Sequence, residues 1–516
     1  MELNSKRQVF ILIFLCLISY ILYQLIRSKI YNISFGLPLD DTYIHLQYAK
    51  NLAKGYLFQY NIGEYTPGTT SAVYVTILGI LFYIFENHLI ISVVLSSLFH
   101  LASVIITLFT SKLYFDELIK QYPALSNYKY LELIPPLVVI LIGRYSWVSQ
   151  SGMETTLFVF LILTGIYFHS KEIISKRQLL IPGIIFAFAS LTRPEGYLIS
   201  GVYFLDKFLY LTKLNNRNKY KFFSAEFLLF IAIILPYPLF SFLTTGSIFP
   251  TSYKAINIRH TEAQNLRFLV IFLTYLFRDI PLLSIIFIIN IILFFKNIKK
   301  YFAGFSFLRM LNIITLILPL AFILFFPIWR NHGRYMIPII ILISINSYFA
   351  FIIYFQKFEI KKSFKKIILV FSILIVVTSI PYYIVFSKHL SKNIDNINSM
   401  QCKAGIWVRD NLKSEIQVAT NDVGAIAYFS GHRIFDLEGL ISPEVLRFRK
   451  YNTEQRNDSL FNLCINRGIN YMIIFDNWYP GMIEKYSDKV ELIKIFPVQE
   501  NTICGDDTLK VYKILY

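Results

Sequence analysis

The sequence predicts an all-α membrane domain of about eleven transmembrane helices, residues 1–386, followed by a small C-terminal α/β domain, residues 387–516. The chain has 516 residues, of which 55% are hydrophobic and only 16% are charged, whereas about a quarter of the residues of a soluble globular protein are charged. Apolar runs long enough for membrane helices recur up to residue 386. Beyond that point the polar content is that of an ordinary soluble domain.

Short basic loops predict the sidedness of the chain. Lysine and arginine cluster near 171–177, 213–221, 296–300 and 357–366, and such clusters mark the cytoplasmic side of a membrane protein. Lys6 and Arg7 place the N-terminus on the same side. The segments predicted outside are 150–154, 193–196, 244–280, 327–333 and the tail. Topology therefore explains the net charge of +18, which does not indicate nucleic-acid binding.

Twelve apolar runs are present, at 9–26, 67–85, 89–110, 131–149, 155–170, 179–192, 197–212, 222–243, 281–295, 309–326, 334–355 and 367–386. An inside N-terminus and an outside tail require an odd number of crossings, so one run does not cross. The best candidate is 67–85, which opens with Pro67-Gly68 and nearly touches the next run. We expect it to form an interfacial helix in the first outer loop. The run 9–26 lacks a small-residue cleavage site and is predicted to be a signal anchor.

The tail shows alternating strand and helix patterns, which indicate a small α/β domain. Strands are predicted at 415–420, 433–436, 470–475 and 509–514, with a short helix at 423–429. Cys402, Cys464 and Cys504 lie in this region. One disulfide among them is compatible with an exported tail.

The most polar stretch near the start of the membrane domain surrounds Asp40 and Asp41. Ionised carboxylates at a membrane boundary are costly unless they face water or serve a function. One of the pair could deprotonate an acceptor hydroxyl while its neighbour holds a metal or raises a pKa. The alternative is a solvated turn or a helix N-terminus, where an acidic residue meets backbone N–H groups.

Two acids on the predicted outer side have a structural explanation as helix caps. Glu154 lies three residues after Ser151, and Glu195 lies three residues after Thr192. This spacing is typical of a capping box, in which both side chains satisfy backbone N–H groups. Capping does not explain Arg193, because a cation at a helix N-terminus opposes the helix dipole. We therefore expect Arg193 to meet an anion.

Further cations on the outer side need a partner, because the positive-inside rule disfavours them there. They are Lys254, Arg330 and Arg334. Lipid headgroups are one candidate partner. A bound phosphate is the other, since arginine offers a fork geometry to phosphate oxygens. In the tail, Asp422 and Asp436 lie at the ends of predicted strands, where turn chemistry explains them about as well as ligand binding does.

In chain order these stretches resemble the bacterial GT-C superfamily of integral-membrane glycosyltransferases, most of all the group that contains the mycobacterial terminal arabinofuranosyltransferase. The first outer loop is similar in Leu39-Asp40-Asp41-Thr42-Tyr43-Ile44 and in Asn51-Leu52-Ala53-Lys54-Gly55. The later motifs are Gly152-Met153-Glu154, Arg193-Pro194-Glu195-Gly196, Tyr253-Lys254, Gly333-Arg334-Tyr335 with Pro338, and Asp422-Val423-Gly424-Ala425 with Asp436 and Gly439-Leu440. The resemblance covers nearly the whole chain. Each motif is short, but the motifs occur in the order of the family and on the same predicted side of the membrane, so the match is specific in combination.

The resemblance implies a transferase that moves a sugar from a polyprenyl-phosphate donor to a hydroxyl acceptor, which is a cell-envelope glycan, a lipid or a protein. It implies a multi-pass protein of the bacterial inner membrane, acting on the outer face by inverting attack. Asp41 or Asp40 would be the base, Glu154 an acid of the second outer loop, and juxtamembrane helices would lie in the first.

In this scheme a set of outer side chains binds the donor phosphate: Arg193, Tyr253, Lys254, His332 and Arg334. Glu195 and Tyr43 have supporting positions. No cofactor is certain, and a divalent metal held by Asp41 and Glu154 is an open alternative. The sequence departs from the family pattern at two places. They are Ala72-Val73-Tyr74 after Gly68-Thr69-Thr70-Ser71, and Pro250-Thr251-Ser252 in place of Pro-Asn. The resemblance therefore does not determine which sugar is transferred.

Two other classes of protein stay open. One is a transporter, or a lipid or polysaccharide flippase, in which buried charges line a path. The other is a structural assembly protein whose tail binds partners. The charges gather at one predicted surface, no internal repeat stands out, and acids within the apolar runs are few, Asp206 being the exception. These observations favour the transferase.

Overall fold

The computed structural model describes residues 2–213, 217–256, 262–296, 306–356 and 364–516. Most of the predicted basic loops at 296–300 and 357–366 lies outside the described residues. The α-helices are Glu2–Leu25, Asp40–Ala53, Ala72–Ile84, His88–Gln121, Ile134–Leu141, Gly143–Ser149, Thr155–Ser175, Ile181–Thr192, Glu195–Thr212, Arg217–Ile234, Pro236–Thr245, Thr251–Ile256, Glu262–Asp279, Pro281–Lys296, Ser306–Phe325, Ile337–Gln356, Phe364–Ile397, Lys403–Asn411, Gly424–Ser430, Thr453–Asn466 and Met482–Lys485. Short 3₁₀-helices lie at Pro123–Leu133, Arg334–Met336, Pro443–Lys450 and Asp476–Trp478.

Seven helical stretches within the described ranges are long and apolar enough to cross a membrane: Ser5–Ile30, His88–Gln121, Thr155–Ser175, Lys219–Thr245, Ser306–Phe325, Arg330–Tyr354 and Leu369–Asn411. An eighth results if Pro123–Leu141 and Gly143–Ser149, bent by 64°, form one span. The predicted crossings at 179–192, 197–212 and 281–295 are helical but do not meet the same requirement. The number of about eleven spans stays a prediction.

The run at 67–85, which we expected not to cross, forms the helix Ala72–Ile84. Its 13 residues span about 20 Å, against about 30 Å of bilayer hydrocarbon. Ile80, Tyr83 and Ile84 are exposed on it. Gly79 faces the helix Asp40–Ala53, since a Cβ there would lie 2.5 Å from Leu52 Cδ2. An apolar exposed face on a short helix supports the interfacial assignment.

Close packing divides the chain into two compact units. Unit 1 comprises Met1–Leu25, Leu95–Ile234 and His260–Lys388. Unit 2 comprises Ile26–Val94, Leu235–Arg259 and His389–Tyr516. The tail therefore packs as one body with Ile26–Val94, which includes the predicted first outer loop, and with a second segment that begins at Leu235. The domain boundary expected at 386/387 stays a prediction.

Unit 2 is built on a five-stranded mixed sheet. The strands are β1 (Val418–Thr420), β2 (Ile434–Asp436), β3 (Tyr471–Ile474), β4 (Val490–Pro497) and β5 (Thr508–Ile514), in the order β2-β1-β3-β5-β4. β1 pairs in parallel with β2 and β3, and β5 pairs antiparallel with β3 and β4. The predicted α/β tail is confirmed. The prediction missed β4, an edge strand whose side chains are mostly exposed.

Both faces of the sheet are covered. One face buries Val418, Ile434 and Ile473 in a cluster with Ile44 and Tyr48 of the helix Asp40–Ala53. The other face buries its side chains with the helix Thr453–Asn466. The helix Asp40–Ala53, named here the loop helix, is thus a core element of unit 2, because its apolar side belongs to the same hydrophobic cluster as the strands.

In unit 1, Asp206 lies in a buried network of charges. Its carboxylate lies 2.8 Å from His169 Nε2 and pairs also with Arg309. The adjacent Lys207 pairs with Glu172 at 2.9 Å and with Glu226. These groups neutralise one another, as buried charges must, so ion pairing explains how Asp206 is accommodated inside unit 1.

Candidate functional site

Asp40 anchors the loop helix to the tail. Its Oδ2 accepts a hydrogen bond from the Gly424 N–H at 2.8 Å, and its Oδ1 accepts one from the Ala425 N–H at 2.7 Å. Gly424 is the first residue of the helix Gly424–Ser430. Asp40 therefore accepts hydrogen bonds from backbone N–H groups that have no partner within that helix. Asp40 thus meets the N-terminus of a helix in the tail, whereas the alternative considered above was the N-terminus of the helix that Asp40 itself opens.

The contact explains the glycine in the tail motif. A Cβ on Gly424 would lie 2.0 Å from the Asp40 carbonyl oxygen and 2.8 Å from Asp40 Oδ2. Such distances exclude any side chain at this position. The sequence places Asp40 and Gly424 in the same family pattern but does not predict their contact. In the sequence, a close approach between two remote segments is indicated only by a glycine.

Opposing effects act on the pKa of Asp40. Burial and the charge of Asp422 raise the pKa of Asp40 well above its usual range, and the two backbone hydrogen bonds oppose this rise. The carboxylate of the adjacent Asp41 adds to the increase. Asp422 itself accepts a hydrogen bond from Gln401 Nε2 at 2.8 Å. Burial and the repulsion from the two other carboxylates therefore favour a proton bound at Asp40.

Tyr43, assigned a supporting position, is buried in unit 2. Its ring packs against Tyr428 and Phe429, with centroids 5.6 and 5.5 Å away. Its hydroxyl lies 3.6 Å from Cys402 Sγ. The side chain thus holds the loop helix against the tail. Cys402 and the three other cysteines are thiols, so the disulfide considered for the tail is not formed.

Three other motif segments meet elsewhere in unit 2. The Thr251 N–H donates to the Pro67 carbonyl at 3.0 Å, and the Thr251 hydroxyl donates to the Leu440 carbonyl. Gly68 is enclosed, since a Cβ there would lie 2.4 Å from the Tyr48 hydroxyl. The segments at 67–71, 250–254 and 436–440 are therefore joined by direct hydrogen bonds.

Asp436 shapes the last of these segments. Its carboxylate accepts hydrogen bonds from the Glu438 N–H at 2.7 Å and the Ile441 N–H at 2.9 Å. Burial raises its pKa to about 7. These bonds close a turn, so the turn chemistry considered for Asp436 is confirmed.

Lys254 and Tyr253 lie on the short helix Thr251–Ile256. Lys254 is exposed, and the Tyr253 ring packs on Phe249 with centroids 5.0 Å apart. Arg449 of the tail donates to the Ala255 carbonyl at 2.5 Å and to Glu438 at 2.7 Å. The tail thus fixes the helix that presents Lys254.

In unit 1 the expected capping boxes are absent. The helix Thr155–Ser175 has Glu154 at its N-cap with no side-chain cap bond, and the Ser151 hydroxyl donates to the Val148 carbonyl instead. The helix Glu195–Thr212 also lacks a side-chain cap, and the Thr192 hydroxyl bonds within the preceding helix. The capping explanation of both acids is wrong, because Arg193 draws their carboxylates to itself.

Arg193 does meet an anion, as expected, and the anions are the two nearby glutamates. Its Nη1 donates to Glu154 Oε1 at 2.7 Å, and its Nη2 donates to Glu195 Oε1 at 2.7 Å. The residue is only 2% exposed. Buried charges need such partners, so the pairing explains why three polar motif residues occur together.

The third motif of unit 1 joins this group through Tyr335. The Tyr335 ring lies under two guanidinium groups, 4.8 Å from Arg193 and 5.0 Å from Arg334. Arg334 Nη2 also donates to the Tyr335 hydroxyl at 3.1 Å, and its Nη1 lies 3.7 Å from Met153 Sδ. We name these residues the guanidinium cluster: Met153, Glu154, Arg193, Glu195, Arg334 and Tyr335.

His332 lies in a left-handed turn next to the guanidinium cluster in sequence. Its ring packs edge-on against Trp147 and Phe386, with centroids 5.3 and 5.8 Å away. Its carbonyl accepts a hydrogen bond from Arg144 at 3.1 Å. Sequence reasoning missed Arg144, which lies inside an apolar run and gave no signal except its charge.

No group of three or more His, Cys, Asp or Glu side chains suited to a metal ion occurs in the described part of the chain. Glu154 is engaged by Arg193. We therefore derive no step through a metal, and the metal held by Asp41 and Glu154 stays a prediction.

Comparison with known proteins supports the fold. Residues 392–512 match a family model described as Domain of unknown function (DUF8728). No curated protein sequence matches the chain. The structure is similar to the crystal structure of ArnT from Cupriavidus metallidurans in the apo state, with a TM-score of 0.59 and 10% identity over 99% of this chain and 98% of that one.

Two further solved structures are similar over most of the chain. One is ArnT from the same organism bound to undecaprenyl phosphate, with a TM-score of 0.58 and 10% identity over 98% of this chain and 97% of that one. The other is the Archaeoglobus fulgidus oligosaccharyltransferase in complex with Zn and sulfate, with a TM-score of 0.56 and 12% identity over 89% of this chain and 67% of that one. Such identities establish the fold alone. They confirm the predicted fold class, a GT-C-like helical membrane domain with a small α/β domain.

Proposed function

We propose that this protein is a glycosyltransferase that moves one sugar from a polyprenyl-phosphate donor to a hydroxyl acceptor on the outer face of a bacterial inner membrane. The observation that carries the proposal is the fold, which extends over nearly the whole length of ArnT, a protein solved with undecaprenyl phosphate bound. The motif contacts support it. In each unit, residues of the family pattern that are far apart in sequence lie side by side.

We assign the base to Asp41 and an anchoring role to Asp40. Both oxygens of Asp40 already accept backbone hydrogen bonds from the tail, so a change of its protonation would disturb the loop helix. Asp41 would take the proton of the acceptor hydroxyl as that oxygen bonds to the anomeric carbon. The bond from this carbon to the phosphate oxygen breaks, and its electron pair leaves with the polyprenyl phosphate. The configuration at the anomeric carbon is thereby inverted.

We assign Arg334 and His332 of unit 1 to the donor phosphate, and Lys254 and Tyr253 of unit 2 stay predicted phosphate ligands. Cations aimed at the leaving phosphate stabilise the charge that develops on it. Arg193 shares its guanidinium with Glu154 and Glu195, which supports a role in holding Tyr335 and Arg334 in place. The likeness to the arabinofuranosyltransferase group stays a prediction, and the sugar and the acceptor stay open.

The test is to supply the purified protein with synthetic short-chain polyprenyl-phosphate sugars and to measure binding and transfer. We expect at least one donor to bind and to turn over, and the Arg334→Ala and Lys254→Ala variants to bind it more weakly. Loss of transfer in Asp41→Asn, with donor binding retained, would support the base. If no donor binds, and both cation variants keep the cellular phenotype, the transferase proposal fails in favour of a transporter or flippase.

A further inference from the structure

We infer that Arg144 is a positioning residue that holds the turn leading into Arg334 in a backbone conformation which the turn would not keep alone. The turn comprises Asn331, His332 and Gly333. The link from this turn to the donor rests on the proposed function, because we assign His332 and Arg334 to the donor phosphate. The link from Arg144 to the turn rests only on contacts within unit 1.

The turn is strained. Three successive residues are left-handed, with φ/ψ of 53°/56° at Asn331, 54°/30° at His332 and 66°/32° at Gly333. This region is unfavourable for residues that carry a Cβ, and only glycine adopts it at no steric cost. Such conformations persist where the surrounding structure determines them, and they concentrate at functional sites.

Arg144 supplies that surrounding structure. Its Nη1 donates to the carbonyls of His332 at 3.1 Å and of Gly333 at 3.2 Å. Its Nε and Nη2 donate to Asp279 Oδ2 at 2.9 and 2.6 Å. One buried guanidinium thus ties two carbonyls of the turn to the end of the helix Glu262–Asp279.

The packing around the turn leaves no room for a side chain at Gly333. The Tyr275 ring lies 4.0 Å from the Arg144 guanidinium. A Cβ on Gly333 would lie 2.7 Å from the Tyr275 ring and 2.8 Å from Arg144 Nη1. Gly333 is therefore required twice, by its backbone conformation and by the space that Arg144 and Tyr275 occupy.

Only arginine suits this position. Its planar fork offers five N–H donors in fixed directions, whereas a lysine ammonium is a compact point charge with three donors. Lysine could satisfy Asp279 but could not also span both carbonyls. The next residue after the turn is Arg334, whose guanidinium stacks on Tyr335. A loosened turn would displace Arg334 first.

The test replaces both charges of the Arg144–Asp279 pair, which we name the clamp. Arg144→Met alone would leave Asp279 buried without its cation and could unfold the protein. The double variant Arg144→Met/Asp279→Leu keeps the volume apolar, and such exchanges of buried pairs are often neutral for stability. The matched control is Arg309→Met/Asp206→Leu, since it removes another buried arginine–aspartate pair of unit 1 whose contacts are made with His169.

Two readouts are measured. The first is the rate of tryptic cleavage after Arg330, which is exposed beside the turn. The second is the affinity for undecaprenyl phosphate. We expect cleavage to be about tenfold faster and affinity about tenfold weaker in the clamp variant, which corresponds to about 1.4 kcal/mol in each case. The control pair should change neither by more than about twofold.

Rescue separates positioning from a merely structural role. Asn331→Gly, added to the clamp variant, should restore slow cleavage and donor affinity, because glycine enters the left-handed region freely. The single variant Arg144→Lys, made in the parent protein, should show the faster cleavage and weaker affinity of the clamp variant. Wild-type cleavage and affinity in the clamp variant would overturn the inference. Faster cleavage in a protein that never binds the lipid would uphold the clamp while the proposed function fails.

Discussion

Carboxylates in the two units are satisfied in opposite ways. In unit 1, Glu154 and Glu195 each pair with the guanidinium of Arg193 at 2.7 Å. In unit 2, Asp40 is held by two backbone N–H groups and is repelled by the charge of Asp422. The first arrangement fixes charge in place, and the second favours proton uptake. The comparison supports the proposal that proton transfer belongs to unit 2 and that Glu154 and Glu195 of unit 1 orient a cation.

Removal of the shared cation should give the largest effect. Arg193→Met leaves Glu154 and Glu195 as uncompensated charges, one of them fully buried, and we expect a loss of about 3–5 kcal/mol in the free energy of unfolding. The matched variant Arg193→Met/Glu154→Gln/Glu195→Gln removes all three charges and should recover most of that loss. Thermal unfolding in detergent measures both. Equal instability of the two variants would show that the carboxylates are not what Arg193 neutralises.

The anchor in unit 2 can be broken without a change of charge. Gly424→Ala places a methyl group 2.0 Å from the Asp40 carbonyl oxygen, and we expect a loss of about 1–3 kcal/mol from this overpacking. Gly201→Ala is the control, because a Cβ there meets nothing within 4 Å and alanine suits a helix. The unfolding midpoints of both variants decide the matter. A neutral Gly424→Ala would contradict the tight contact between the loop helix and the tail.

The sequence was sufficient to predict the apolar helices, four of the five strands and the residues that carry the family resemblance, because periodicity and composition are local signals. It did not predict how those residues pair. The spacing suggested a capping box for Glu154, but its carboxylate forms an ion pair with Arg193 of another segment. The roles of Gly424 and Arg144 depend on contacts between segments far apart in the chain, for which local patterns offer no signal. The strand β4 was missed because most of its side chains face solvent.

The raised pKa values of the buried acids in unit 2 also predict how the stability of the protein depends on pH. Burial raises the pKa of Asp436 to about 7, so its contribution to stability is fully present below the pKa of the unfolded chain, about 4. That contribution is lost as the pH rises through about 7. We expect the unfolding midpoint to fall over this interval by the equivalent of a few kcal/mol, roughly. Asp40, whose pKa is also raised, acts in the same direction.

The control for this pH effect is Asp436→Asn, which cannot titrate. It should be less stable than the parent at low pH, because its amide group meets a backbone N–H group. Its stability should also change less between pH values of about 4 and 7. If the parent and the variant have the same pH profile, Asp436 does not titrate in this range.

The smallest effect is expected from a change of charge in the guanidinium cluster. Glu154→Gln keeps a hydrogen-bond acceptor for Arg193 but removes one negative charge beside it. We expect affinity for undecaprenyl phosphate to rise by about threefold, well under 1 kcal/mol. Glu64→Gln, on an exposed loop of unit 2, serves as the control and should leave affinity unchanged. Weaker binding by Glu154→Gln would mean that its charge assists the donor rather than opposes it.

The most direct measurement of the central claim compares Asp40→Asn with Asp41→Asn in sugar transfer and in unfolding. The account predicts that Asp41→Asn lowers the rate of transfer by about a hundredfold or more while the unfolding midpoint stays near that of the parent. Asp40→Asn should lower the midpoint clearly and keep measurable transfer, because its carboxylate holds Gly424 and Ala425. Full transfer by Asp41→Asn, or loss of transfer by Asp40→Asn at unchanged stability, would contradict the division between base and anchor.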